Sequence, residues 1–275
     1  MAVLWGLAFV ATRIGLDELS PPQLAAARFV IAAAPVLVIA RPPVSWTALI
    51  AVGLTLFAGQ FLFQFFGIAA GMPPGLASVI VQSQALFTIA LAALVLRERP
   101  TGRQLAGLAV GLTGLAAIAL TVGGDLSAAA LALTLGSPLS FALGNLLLKR
   151  LPAAAPFALV AWLSLVPPIP ALAVATALDG PRAITDVASL SWRGVVAAIY
   201  LGAVATTLAY AIWGALLRRY PTALVVPFAL LVPFVAAGAS ALVFGERFGR
   251  LRLAGMALVL CGLAVIVLPE REGRA

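Results

Sequence analysis

Ten runs of apolar residues, each close to the length of a bilayer-crossing helix, follow one another with almost nothing between them. They cover 2–19, 22–40, 45–70, 73–96, 101–122, 128–149, 156–177, 191–217, 221–244 and 249–268. A helix rises 1.5 Å per residue and the hydrocarbon core is roughly 30 Å thick, so about 20 apolar residues cross it. Strands of a membrane barrel would alternate polar and apolar residues with period two, and these runs do not. Connections such as Ser20-Pro21, Gly71-Met72 and Arg219-Tyr220 admit only tight helical hairpins. The longest, about 178–190, is too short for a soluble domain. The expected fold is an all-α polytopic membrane protein with ten transmembrane helices, a single membrane domain over 1–275.

Composition agrees and narrows the partners. The chain is 63% hydrophobic and 9% charged, with mean hydropathy +1.15, against about 25% charged residues in soluble domains. A net charge of +8 would suggest nucleic acid in a soluble protein. Here the basic residues gather in loops instead, and the expected partners are the lipid bilayer and a small molecule. No nucleic acid is expected. With the N-terminus inside, ten basic residues fall in inner loops and the tail: Arg41, Arg97, Arg99, Arg103, Lys149, Arg150, Arg218, Arg219, Arg271 and Arg274. The outer loops hold five: Arg182, Arg193, Arg247, Arg250 and Arg252. Positive charge marks the cytoplasmic face, so both termini are expected there, in a bacterial cytoplasmic membrane. No basic stretch precedes the first run, so it does not read as a cleaved signal; its shortness leaves room for upstream residues. One cysteine, Cys261, excludes an intrachain disulfide, and with no histidine neither a metal site nor a cofactor is expected.

The chain also repeats itself. At a shift of 148, residues 101–120 match 249–268 at ten of twenty positions. Pro73 aligns with Pro221, Gly107 with Gly255, Gly114 with Gly262, and Glu98-Arg99 with Glu246-Arg247. Apolar bias inflates Leu and Ala matches but does not account for paired Pro, Gly and Glu. The two copies, 1–122 and 128–269, hold five spans each. Because five is odd, the second enters from the opposite side, giving the inverted repeats that many secondary transporters use for alternating access. Gln84-Ala85 stands where the second copy has Val232-Pro233, which argues against a fully symmetric helix break. Glu98 and Glu246 read as hairpin anchors, each serving the N-terminus of the following helix or a neighbouring Arg.

Four segments carry a resemblance: LWGLAFVATRIGL at 4–16, LAAARFVIAA at 24–33, GAVATTLAYAIWGALLRRYPTALV at 202–225, and PFALLVPFVAAGASALVFGERFGRLRLAGMALVLCGLAVI at 227–266. The chain resembles the EamA family of the drug/metabolite transporter superfamily over essentially its whole length. The resemblance implies a ten-span transporter, and an amino-acid-exporting branch of that family is similar in size and layout. It also places an arginine commonly carried by the family at Arg28.

Polar side chains inside spans are tolerated chiefly where protein or a water-filled cavity receives them. At helical spacing, Gln60 and Gln64 share a face of the third span, and Ser78 and Gln82 a face of the fourth. Gln84 points roughly opposite to Gln82, so Gln82 is the one expected in the cavity. Phe141 and Asn145 line the sixth span with Lys149; their repeat partners, at a shift of 136, are Trp5, Phe9 and Arg13. Thr206, Tyr210 and Trp213 share a face of the eighth span. The expected substrate-lining set is thus Trp5, Gln60, Gln64, Ser78, Gln82, Phe141, Asn145, Thr206, Tyr210 and Trp213, against the alternatives of interhelical hydrogen bonding and core filling. Arg13 and Arg28 are expected to snorkel toward the outer face or pair structurally, not to touch substrate. Trp46 and Trp192 read as interfacial anchors. The small-residue face Gly107, Gly111 and Gly114 implies close helix packing, inside a monomer or at a dimer interface.

No histidine exists and no Asp or Glu falls mid-span, so the titratable group that proton coupling usually needs is missing. Uncoupled transport is expected. A sugar phosphate would require fixed cations in the centre. A Gln/Asn/Tyr/Trp lining suits amino acids, aromatic ones included, and amphiphilic metabolites or drugs; proton-coupled transport of phosphorylated or cationic compounds is the alternative. An enzyme would require a Cys/His/Asp constellation that the chain does not contain.

Overall fold

The computed structural model describes residues 1–152, 154–180 and 190–268. The expected cytoplasmic Arg271 and Arg274, the outer Arg182 and the last residue of the second copy lie outside these. Among the described residues, eight helices are long and apolar enough to cross a membrane. They are α3 (Trp46–Ala69), α4 (Pro74–Val95), α5 (Gly102–Ala119), α6 (Ala128–Leu148), α7 (Pro156–Asp179), α8 (Trp192–Arg219), α9 (Val226–Phe244) and α10 (Arg250–Val267). Two shorter apolar helices precede them, α1 (Ala2–Gly15) and α2 (Pro21–Leu37). No β-strand forms among the described residues.

Hydroxyl residues start several of these helices. Ser45, Thr101 and Ser127 each accept the backbone N–H three residues on, from Ala48, Gln104 and Ala130, and Gln104 Oε1 in turn accepts the Thr101 N–H. Leu37, Val38, Leu94, Leu120 and Leu242 are more than three-quarters exposed, giving the bundle the apolar outside that lipid, not water, would cover.

Interruptions give the bundle its particular shape. α3 and α8 each carry a wide π-helical stretch, Gly53–Gly59 and Tyr200–Leu208, at matching positions of the two halves. α4 breaks at Ser83, whose N–H and Oγ both turn back to the Ile80 carbonyl at 3.0 and 2.6 Å. α9 begins as a 3₁₀ segment, Val226–Leu231, and becomes α-helical at Val232. The two resumption points, Gln84 and Val232, are 148 residues apart, so a proline is not required for the break in the first half. The sequence expectation of an asymmetric break is corrected: the two helices are interrupted at corresponding positions, the first at Ser83, whose hydroxyl bonds the Ile80 carbonyl, and the second ahead of Pro233, which leaves the Ala229 carbonyl without its α-helical donor. Pro138, by contrast, is accommodated within the 21-residue α6.

α5 and α10 share the closest seam. A Cβ on Gly107 would sit 2.6 Å from the Gly262 carbonyl, and one on Gly114 2.6 Å from the Gly255 carbonyl. The glycine face therefore packs inside the chain. At one end of the seam Arg252, nearly buried, forks onto Asp125 at 2.6 and 3.0 Å, and these hydrogen bonds hold the Asp125 carboxyl below the usual carboxylate range.

Candidate functional site

A cavity of about 220 Å³ lies at the centre of the bundle, walled by α1, α2, α3, α4, α6, α8 and α9. Seven of the ten expected residues line it: Trp5, Gln60, Gln64, Gln82, Phe141, Tyr210 and Trp213. Its aromatic wall is continuous. The Trp5 ring lies 5.3 Å from Tyr210 and 5.5 Å from Trp213, centroid to centroid, and Trp5 Nε1 donates to the Ala205 carbonyl at 2.9 Å. That bond fixes the Trp5 ring on the cavity wall.

The expectation that Ser78, Asn145 and Thr206 line the cavity gives way to other positions. Ser78 is fully buried and donates to the Gly75 carbonyl at 2.6 Å, within its own helix. Asn145 Nδ2 donates to Thr88 Oγ1 at 3.2 Å, tying α6 to α4. Thr206 donates to Leu201 O, five residues back in the π-helical stretch, which withdraws its hydroxyl from the face shared with Tyr210.

Two residues come to the cavity that the sequence had set aside, Gln84 by its helical spacing and Arg28 by its expected snorkelling. Gln84 lines it together with Gln82, because the break at Ser83 resets the helical phase between them. Gln82 Nε2 donates to the Ala229 carbonyl at 2.9 Å. Pro233, four residues beyond Ala229, has no N–H to give that carbonyl, so Gln82 also braces the break in α9. Arg28 does not snorkel. It is 3% exposed, its Nε donates to Thr206 Oγ1 at 3.0 Å, and its guanidinium carbon lies 3.9 Å from the Phe61 ring centroid. It is the one charged residue on the cavity wall among those described. Its place inside a span, where the family resemblance also implies an arginine, was the sequence signal for it.

At the two ends of the bundle the repeated Glu residues meet partners other than those expected. Glu98 receives both its contacts from Lys149 Nζ, at 3.1 Å, so its cation is the lysine just beyond α6 and not a neighbouring Arg. Glu246 Oε2 accepts the Gly75 N–H at 3.1 Å, at the start of α4 instead of the following α10. Burial pushes the Glu246 carboxyl up, and the Gly75 bond partly offsets this. Its Oε1 is buried without a partner. Arg13, the repeat counterpart of Lys149, pairs with Asp17 and shares with Glu246 the lining of a pocket of about 500 Å³.

A helical membrane protein with a central cavity of amides, aromatic rings and one guanidinium has the build of a small-molecule transporter. The chain belongs to the EamA-like transporter family, which matches it twice, over residues 1–120 and 128–268. It is 40% identical over 282 residues to a "Probable amino-acid metabolite efflux pump" of Salmonella typhimurium, covering 100% of this chain and 94% of the relative. The protein with that same description in Escherichia coli is 38% identical, over 100% and 95%. A "Probable terminal-alkyne amino-acid exporter" of Streptantibioticus cattleyicolor is 29% identical, over 96% and 90%. A protein crystal structure 19% identical to the chain shares its fold, with a TM-score of 0.62 over 96% of this chain and 93% of its own.

Proposed function

We propose that this protein exports amino acids, aromatic ones among them, and related amphiphilic metabolites or drugs, by alternating access without ion coupling. The cavity carries the reading. It offers amide groups from Gln60, Gln64 and Gln82 and ring faces from Trp5, Phe141, Tyr210 and Trp213, which suits a zwitterion with an apolar body. Substrate contact is assigned to these seven residues. With a single cation on its wall, it is poorly equipped for a phosphate dianion. The relatives' names point the same way.

Ten membrane crossings in two inverted five-helix copies, 1–122 and 128–269, fit this mechanism. Residues that ten crossings would bring to one face do meet: Glu18 accepts from Ser191 N–H, Arg252 pairs with Asp125, and Lys149 with Glu98. The Gly107–Gly262 and Gly114–Gly255 contacts exchange with each other when the copies are exchanged, as a two-fold axis requires. On the face assigned to the cytoplasm, in a bacterial inner membrane with both termini inside, the Glu98–Lys149 pair is made. On the other face Arg13 and Glu246 stand apart across a pocket. That difference fits a molecule closed inward and open outward.

Purified protein in liposomes preloaded with labelled phenylalanine tests the reading. Efflux down the gradient is expected, at a rate unchanged by an imposed pH gradient. Accumulation against the substrate gradient driven by protons would overturn the uncoupled mechanism, and absence of flux for every amino acid would overturn the substrate class.

A further inference from the structure

We propose that Arg28 is the carboxylate anchor of the substrate site, with the buried amide oxygens of Gln60 and Gln84 receiving the ammonium; this rests on the amino-acid reading above. A guanidinium inside a membrane bundle is costly unless an anion or hydrogen-bond acceptors compensate it. Arg28 has neither in full. Among the described residues no carboxylate pairs with it, and its one hydrogen bond uses Nε, leaving both terminal nitrogens without an acceptor. Those nitrogens belong to a side chain on the cavity wall.

The rest of the arrangement holds the guanidinium in place without neutralising it. Thr206 accepts from Nε at 3.0 Å while its own proton goes to the Leu201 carbonyl at 2.8 Å. Phe61 supplies a ring face at 3.9 Å. What remains free is the edge that binds a carboxylate through two parallel hydrogen bonds. Two acceptors complete the set: Gln60 Oε1 and Gln84 Oε1 are both buried and both without a hydrogen-bond partner, and both residues line the same cavity. Unpaired buried acceptors and an unpaired buried cation are each unfavourable alone. One α-amino acid satisfies both, its carboxylate on Arg28 and its ammonium on the amides, with its side chain directed to Trp5, Tyr210 and Trp213.

The test compares phenylalanine with two analogues in proteoliposome flux: phenylalaninamide, which lacks the carboxylate, and 3-phenylpropionate, which lacks the ammonium. In the wild type, loss of the carboxylate should weaken half-saturation by about tenfold or more, the worth of a charge-assisted pair. Arg28→Gln should impose a similar penalty on phenylalanine and on 3-phenylpropionate while leaving phenylalaninamide nearly unchanged. Arg28→Lys, which keeps the charge without the fork, should fall between. Gln60→Leu with Gln84→Leu should penalise phenylalanine and spare 3-phenylpropionate. Equal losses for all three compounds in Arg28→Gln would make Arg28 a structural residue and overturn the proposal. If Arg28→Gln fails to fold, judged by size exclusion, the wild-type comparison decides: phenylalaninamide moving as well as phenylalanine overturns it. Wild-type flux of amino acids with Arg28→Gln unaffected sinks the anchor alone, whereas no wild-type flux of any amino acid sinks the reading beneath it.

Discussion

Arg97 adopts φ +55°, the only described non-glycine residue with a positive φ, at the turn that ends α4. The matching position in the second half is Gly245, with φ +68°. A left-handed residue lets the chain leave a helix while its N–H groups still reach back to the last carbonyls, and glycine does this without steric cost. Arg97→Gly should therefore stabilise the protein by about 0.5–1 kcal/mol, read as a raised thermal midpoint in detergent. An unchanged or lowered midpoint would mean that the Arg97 side chain has a role of its own. Side-chain partners were the least legible part of the site for a related reason. Helical spacing predicts faces, and seven of ten proposed residues reached the cavity on that basis. Whether a hydroxyl such as that of Ser78 or Thr206 turns back to its own helix depends on local carbonyl geometry that spacing does not encode.

The helices show how far periodicity carries. Their positions were readable because about 20 apolar residues between polar breaks have few alternatives in lipid. The break in α9 falls where the sequence has Pro233, whereas that in α4 has no proline and rests on the Ser83 hydroxyl. An uninterrupted α4 would put residues 82 and 84 about 200° apart. The resulting prediction is that cysteines at 82 and at 84, each in a Cys261→Ala background, both react with a membrane-impermeant thiol reagent and are both protected by substrate. Reaction at only one of them would mean α4 runs straight in the membrane. Arg28 was missed for a different cause: an arginine in the outer half of a span normally reaches for the headgroups, and only the tertiary placement of Phe61 and Thr206 shows that it is held inside.

For the molecule as a whole, duplication was visible as matched glycines, prolines and glutamates, but not the state the two halves adopt. Opposed pairs of one design, Glu98 with Lys149 and Glu246 with Arg13, differ in occupancy here. If the first holds the inner face shut, Lys149→Gln should raise labelling of a cavity cysteine from the cytoplasmic side in inside-out vesicles. The pair is half exposed, so the population shift should be modest, about two- to fivefold. The double reversal Glu98→Lys with Lys149→Glu should restore the wild-type rate. No change in labelling, or failure of the reversal to restore it, would remove the pair from the gating mechanism.

The glycine seam between α5 and α10 has a mechanical consequence. Packed helices usually slide by letting side chains hop between rotamers, small steps that an interlocked surface absorbs. Where backbone lies on backbone, as at Gly107–Gly262 and Gly114–Gly255, there are no rotamers to hop. That joint can be kept or pulled apart, with little between. Of the helices described, α5 and α10 are also the membrane-length pair that, with α7, contributes nothing to the cavity wall. In the alternating-access mechanism proposed above they would act as a stator, and the work of opening one face and closing the other would fall to the helices that wall the cavity.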